Sequence, residues 1–424
     1  MTAAPAIKGW CPTLLSPMQS GDGWLARVKP TASTVTAEAA RIVAGAASRH
    51  GNGHIDLTSR ANFQLRGLTP RSAEQLAEII IGAGLASANP AAEAVRNVMA
   101  SPLGSDDATA SFDAHASARE IESMLGAEQA LQALPPKFAV LVDGGGVLPL
   151  AGVTADIMVR AAGDSLALQL DGGTQVALCS RASPPTLVET VKALALAFLH
   201  LSSERRQPPR RMAALIGEIG EEAIFPAAGL TPIPIPDNPT PHARSPVGFI
   251  PNPNRAEGCF GVGLPFGRID AGALAKLADL SERHGHGSLR TTPWRALLLP
   301  GVAAADSKDL SDEVTALGLI AGPDDRRLHI FACVGAPACA SASVDARGDA
   351  SRLARVPLNK CRTIHVSACV KSCAHRGPAA LTLVGRDGRY DLIREGTTTG
   401  TPALTGLTID QIVALLQSAE GQRP

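Results

Sequence analysis

Four cysteines in the last quarter of the chain have the type and spacing to hold an inorganic cluster. Cys333 and Cys339 are separated by five residues, and Cys369 and Cys373 by three; both pairs follow strand-like runs among Gly, Ala, Pro and Ser. Small residues let backbone approach a bulky cluster and turn N–H groups toward its sulfurs. Four thiolates suit a [4Fe–4S] cube, whose potential is set by hydrogen bonding and solvent access. Zinc prefers pairs with two to four intervening residues, so the wider first pair argues against it. The bland alternative is four buried thiols packed as small hydrophobes. Cys361, between the pairs, and the isolated Cys11, Cys179 and Cys259 read as such packed thiols.

The rest of the composition narrows the setting. Five of the eight cysteines lie between 333 and 373, and clustering in a long chain argues for metal ligation rather than disulfides. With 424 residues, two or three domains are expected. The 39 basic residues balance the 39 acidic ones, which argues against a general nucleic-acid binder but leaves room for a local cationic pocket. No uncharged apolar run is long enough to predict a membrane span. Met1 to Trp10 lacks the pattern of a secretory signal, so the expected setting is a reducing cytoplasm.

These side chains must be positioned by a duplicated framework. Ser48-Arg49-His50-Gly51-Asn52-Gly53 is echoed by Glu282-Arg283-His284-Gly285-His286-Gly287. Each copy ends a helix-like stretch, 34–50 and 271–284, at a glycine stop. Each is followed by a strand-like segment, 54–68 and 288–302. Gly23 to Pro30 answers Gly258 to Pro265. The Pro-rich stretch from Thr231 through Pro253 reads as a linker, since proline suits neither helix interior nor central strand. Further strands are expected at 138–142, 329–332 and 380–384, and helices at 187–201 and 411–419. The expected fold is α+β, with duplicated ferredoxin-like units and two larger α/β units in a pseudo-two-fold relation. Boundaries are set at 1–75 for the first ferredoxin-like half-repeat and 76–230 for the first α/β domain. Linker and second half-repeat follow at 231–305, and an iron–sulfur α/β domain at 306–424.

The cysteine pattern, the repeat and three further segments together resemble the siroheme-dependent sulfite and nitrite reductases. The segments are Leu57 to Leu65, which carries T-x-R-x-x-x-Q, Arg96-Asn97-Val98, and Leu134-Pro135-Pro136-Lys137-Phe138. Within that superfamily the chain most resembles the precorrin-3B synthases of aerobic cobalamin biosynthesis. It is short for a sulfite reductase, and two runs look like theirs: Trp10-Cys11-Pro12 through Gly23, and His365-Val366-Ser367-Ala368-Cys369-Val370-Lys371-Ser372-Cys373-Ala374-His375. One departure counts against sulfite reduction. The reductases carry a second lysine two residues after Lys137, and here that position is Ala139.

The resemblance implies that Arg60, Arg96 and Lys137 face a tetrapyrrole and carry catalysis, with Cys373 on the cluster's near side. It implies precorrin-3A and O2 as substrates, ring hydroxylation with lactone closure, and a [4Fe–4S] cluster as electron relay. It also implies a non-haem iron, for which no two-His-one-carboxylate set stands out. Siroheme belongs only to the alternative, a nitrite or sulfite reductase. A non-catalytic tetrapyrrole carrier is a third reading. Arginine suits a carboxylate-rimmed macrocycle because its planar fork binds carboxylate bidentately and keeps its charge. Arg27 and Lys29 alternate on one predicted strand, so both face one side. Arg60, Asn62 and Gln64 share a face of the next. Asn97, Arg295 and Lys371 complete the substrate-binding candidates, and His375 reads as a hydrogen-bonded neighbour. Gly261-Val262-Gly263 with Gly267 has the wrong spacing for a dinucleotide fingerprint. Electrons are therefore expected from a separate NADH-linked reductase or a ferredoxin.

Overall fold

The computed structural model describes residues 11–163, 165–179, 184–234, 244–253, 255–357 and 363–421. Cys361 and the Met1 to Trp10 run lie outside the described residues, as does the side chain of Cys179. The architecture is α+β, with four sheets in two duplicated pairs.

The duplication is visible atom by atom. Helix Ala37–His50 starts at Thr36, whose hydroxyl accepts from Ala39 N, and helix Ala271–His284 starts at Asp270, whose carboxylate accepts from Ala273 N. Such caps satisfy amides that the first helical turn leaves free. At one constant offset along the sequence, Ala32 pairs with Phe266 and Gly67 with Gly301, all at positive φ. The two helices pack against each other in one core that both halves share, through Val43, Ala44, Leu274 and Leu277. Burying a leucine such as Leu277 completely contributes about 2 kcal/mol.

The two small units exchange a strand. Thr34–Thr36 pairs not with its own half but with Ser288–Thr291, and Arg268–Asp270 pairs with His54–Leu57. The first sheet therefore runs Met18–Ser20, Gly23–Val28, Phe63–Leu68, His54–Leu57, Arg268–Asp270, and the second Gly248–Ile250, Glu257–Gly263, Ala296–Ala303, Ser288–Thr291, Thr34–Thr36. This corrects the expected helix at 34–50. Its first three residues, Thr-Val-Thr, are β-branched and suit a strand, and the helix begins at Ala37. The Pro-rich stretch forms neither helix nor central strand among its described residues. Ile233–Pro234 and Gly248–Ile250 form short strands at the edges of their sheets, where a missing N–H costs no ladder bond.

The larger units repeat one pattern too. Val98–Ala100, Val140–Asp143 and Ile157–Ala162 run parallel before antiparallel strands complete the third sheet. Ile330–Ala332, Ile364–Ser367 and Ala379–Arg386 do the same in the fourth. Loops at the carboxyl ends of parallel strands are where such sheets place ligands. Cys333 and Cys369 lie there, each just beyond its strand.

Candidate functional site

The polar face of the first sheet, buried to half-buried, lies beside the site. Phe63 and Leu65 are fully buried on one face, while Gln64 and Arg66 belong to the other. Cross-strand register aligns Arg27 with Gln64, Gln64 with Asp56, and Asp56 with Arg268. A polar row thus crosses four strands. The equivalent row of the second sheet, Gly261, Leu298, Arg290 and Thr34, has lost most of that chemistry.

One end of this row opens into a cleft lined by Lys29, Arg60, Asn62, Arg96, Asn97, Met99, Glu122 and Ala139. Five predicted site residues, Lys29, Arg60, Asn62, Arg96 and Asn97, therefore converge. The enclosed space between these side chains is small, about 10 Å³, so the cleft can seat a single polar group rather than a macrocycle. Arg60 is not on a strand face, which corrects the sequence expectation. Residues 58–62 form a tight turn in which the Thr58 hydroxyl accepts from Arg60 N and Asn62 N, with Ala61 at φ 55°. A short hydroxyl side chain that competes for local amides breaks the alternation here. The turn sends Arg60 Nη2 to the Lys137 carbonyl at 3.0 Å. Asn97 Nδ2 ties Ala94 O to Pro136 O, so the two motif segments are laced together.

Charge accounting separates these cations. Arg96 donates to Glu93 at 2.7 Å and lies 3.5 Å from Glu122; those acids raise its pKa against the lowering effect of burial. Glu122 itself is pushed up by burial more than Arg96 draws it down. Lys29 Nζ donates to Glu93 O and Ala94 O, and burial lowers its pKa to about 8, with Glu93 opposing. Lys29 and Arg96 are thus balanced by two acids. Arg27, Arg60 and Lys137 have no carboxylate ion-pair partner among the described residues. Burial pushes both Arg27 and Arg60 down. A buried guanidinium without a counter-ion is costly, and a substrate carboxylate would supply one. Gln64 Oε1 accepts from Arg27 Nε at 3.3 Å.

Three further residues here escaped the sequence reading. Cys11 hydrogen-bonds Arg27 and lies close enough to Arg60 to act on its charge, so it is not merely packing. Asp156, fully buried, accepts from Ala139 N and pairs with Arg211 at 2.9 Å, fixing the backbone where the reductases carry their second lysine. Trp294 packs on the apolar cluster of Met99 and Ala139. The Thr292 hydroxyl accepts from Trp294 N and Ala296 N, so Trp294 is the pseudo-symmetric mate of Arg60. Aligning the two repeats through Thr58 and Thr292 would have found it.

The same sheet meets the cysteine loop through Ala338, whose carbonyl accepts from Ser20 and Arg66. Cys333, Cys339, Cys369 and Cys373 are all unpaired thiols on two facing loops. Ala368 N donates to Cys333 Sγ at 3.2 Å. Burial pushes the Cys333 thiol up, against the Ala368 and Gly335 amides; Cys373 is also pushed up by burial, and by the other three thiols. All four therefore lie within electrostatic reach of one another. Among the described residues no three His, Cys, Asp or Glu side chains close tightly enough on one metal ion. A four-iron cube takes one thiolate on each iron. Two glycines make the cradle: a Cβ on Gly335 would meet Ala346 N at 2.5 Å, and one on Gly385 would meet Ala368 O at 2.8 Å. The donor set, its amides and this closeness fit an iron–sulfur cluster.

Three candidates lie beside the cysteines rather than in the cleft. Lys371 Nζ donates to Ser341 Oγ at 3.3 Å, linking the two loops. Arg295, at φ 59°, stacks over the Phe331 ring at 4.0 Å and donates to Ile330 O; burial and Arg347 lower its pKa to about 10. His375 bonds Pro378 O and packs edge-on to His365, ring centroids 5.7 Å apart. His365 is fully buried with both ring nitrogens unpartnered, and burial, then His375, lowers its pKa to about 4. No carboxylate joins these histidines, so the described residues do not form a two-His-one-carboxylate iron site.

Comparison with known proteins agrees with this geometry. The family model described as the nitrite/sulfite reductase ferredoxin-like half domain matches residues 16–82 and 252–317, the two strand-exchanged units. The chain is 32% identical to a precorrin-3B synthase from Sinorhizobium sp, covering 95% of this chain and 86% of that protein. It is 24% identical to a ferredoxin–nitrite reductase from Synechococcus elongatus, over 87% of this chain and 77% of that one. The solved structure of the Mycobacterium tuberculosis NirA protein superposes with a TM-score of 0.74 at 21% identity, covering 93% of this chain and 79% of that chain, and shares the fold.

Proposed function

The chain belongs to the precorrin-3B synthase family of the nitrite and sulfite reductase superfamily, and is an oxidoreductase; on that premise we propose that it is an oxygen-dependent monooxygenase converting precorrin-3A to precorrin-3B. One atom of O2 enters the macrocycle as a hydroxyl while a carboxylate side chain closes to a lactone. The other atom leaves as water, with two electrons and two protons. The observation that carries this reading is the cleft itself, where Arg60, without a carboxylate ion-pair partner among the described residues, meets Lys29 and Arg96 around a small, uncharged Ala139.

Arg60 and Arg27 bind carboxylates of the rim, their forks matching two oxygens at once. Lys137 is a third cation, held in place by the carbonyl contact of its own backbone to Arg60. Lys29, with its pKa brought to about 8, can exchange a proton near neutral pH. Trp294 and Met99 shield the apolar side of the ring. Cys333, Cys339, Cys369 and Cys373 would hold a [4Fe–4S] cluster, which would supply the single electrons that ground-state dioxygen needs to react with closed-shell organics. A ferredoxin or an NADH-linked reductase reloads it; the ferredoxin named for the nitrite reductase relatives supports the former.

The test is the visible spectrum of anaerobically purified protein, with iron and sulfide counts. Cluster absorption without a siroheme band is expected. A stoichiometric siroheme band overturns the reading in favour of nitrite or sulfite reduction. Arg60→Ala and Lys137→Ala should each lower kcat/KM for precorrin-3A by about 10-fold to 100-fold, the worth of one charge-assisted contact. Unchanged turnover in both would remove the cleft from the reaction, and a change in affinity alone would indicate a carrier.

A further inference from the structure

Arg66 reaches from the first sheet into the loop that carries Cys339. Its side chain is only 3% exposed. Nε donates to Asp22 Oδ2 at 2.9 Å and Nη2 to Asp22 Oδ1 at 2.8 Å, a bidentate pair. The same Nη2 donates to Ser20 Oγ at 2.8 Å and to the Ala338 carbonyl at 2.7 Å. Ser20 Oγ donates to that carbonyl at 2.8 Å, and Gly21 N at 3.2 Å. One carbonyl oxygen, adjacent to Cys339, thus receives three donors: Ser20 and Gly21 from the hairpin at the start of the first sheet, and Arg66 from the strand Phe63–Leu68, 272 residues away in sequence. The hairpin tip leaves no slack: a Cβ on Gly21 would lie 2.5 Å from Pro337 O and 2.9 Å from Ala340 N.

We infer that Arg66, set by Asp22 and Ser20, is a positioning residue that holds the Cys339 arm of the cluster site onto the ferredoxin-like half. The other three thiols are anchored within their own domain. Cys333 continues the parallel ladder through its N–H to Val366 O. The Cys369–Cys373 loop is tied by Ser367 Oγ to Cys369 O and by Thr398 Oγ1 to Val370 O. Cys339 N donates to Gly335 O, a contact inside its own loop. Lys371 ties Ser341 of this loop to the other cysteine loop, and the three-donor carbonyl is its anchor to the ferredoxin-like half, with a charge-assisted hydrogen bond as its strongest member. Groups behind a metal ligand set how firmly the ligand is presented.

This inference rests on the cluster reading, and the experiment separates the two. Full-length protein is purified anaerobically and reconstituted. Iron and sulfide are counted, and iron release to the chelator bathophenanthroline is timed by loss of cluster absorption. Arg66→Met should release iron about 10-fold to 100-fold faster than the parent, Ser20→Ala less so, and Arg66→Lys should recover part of the difference. Arg160→Met, which breaks the Asp143 ion pair in the third sheet, controls for general destabilisation and should leave the release rate unchanged. If Arg66→Met does not fold by circular dichroism, Ser20→Ala carries the test alone. Parent-like release from every folded Arg66 and Ser20 variant overturns the inference. A parent protein that takes up no iron or sulfide overturns the cluster reading instead.

Discussion

At the residue scale, two kinds of cation stand in and around the cleft. Arg96 and Lys29 sit in a network closed by Glu93, fully buried, and Glu122; Arg27, Arg60 and Lys137 do not. The first pair holds the cleft's shape, and the second group is available to an anionic ligand. Lys29 also gives the cleft a pH signature. Its folded pKa is about 8 against an ordinary value of 10.5, so the ammonium is lost as pH rises through about 8. Affinity for the tetrapyrrole should fall over that interval, measured by titration between pH 6.5 and 9.5, and Lys29→Met should flatten the profile. Folding stability runs the opposite way. Between about 8 and 10.5 the unfolded chain holds a proton that the folded chain has released, so stability rises with pH there. An affinity profile identical in parent and variant would assign the dependence elsewhere. Motif spacing alone singles out Arg60, Arg96, Asn97 and Lys137. It does not single out Glu93, Glu122 or Asp156, because a lone carboxylate carries no pattern until the fold brings a cation beside it.

At the element scale, the strand exchange locks the halves together. Asp56 sits where the exchanged strand meets the cluster domain, pairing with Arg268 at 2.8 Å and with Arg347 at 2.8 Å. Burial alone would raise its carboxyl, but Arg347, Arg268 and Arg66 outweigh it and hold the pKa low. Asp56→Asn leaves both arginines without their acid and should cost about 3 kcal/mol, seen as a lower midpoint in urea unfolding. A midpoint equal to the parent's would show that the network adds nothing. The repeat of helix and following strands was legible from two glycine-stopped segments, since a glycine stop and a cap are local signals. The exchange was not. Which sheet accepts Thr34–Thr36 depends on a partner, Ser288–Thr291, that lies far along the chain, and β-propensity does not name its partner.

At the scale of the whole molecule, the first sheet joins the cleft to the cysteine loops. Lys29 lines the cleft, Arg66 holds Ala338, and Asp56 meets Arg347 from the fourth sheet's domain. Duplication supplied two such sheets, and only one kept a polar row. The second spends the equivalent face on apolar packing, with Leu298 buried against Leu103 and Leu148. This asymmetry is what makes one functional site from two similar halves. Under the function proposed above, the tetrapyrrole is transformed in that site rather than kept as a cofactor. Mass spectrometry of precorrin-3A, after incubation with reconstituted protein, an electron donor and 18O-labelled dioxygen, separates the two fates. The expected product has gained one labelled oxygen atom. Recovery of unaltered tetrapyrrole, with reduction of nitrite or sulfite by the same preparation, would contradict the proposal.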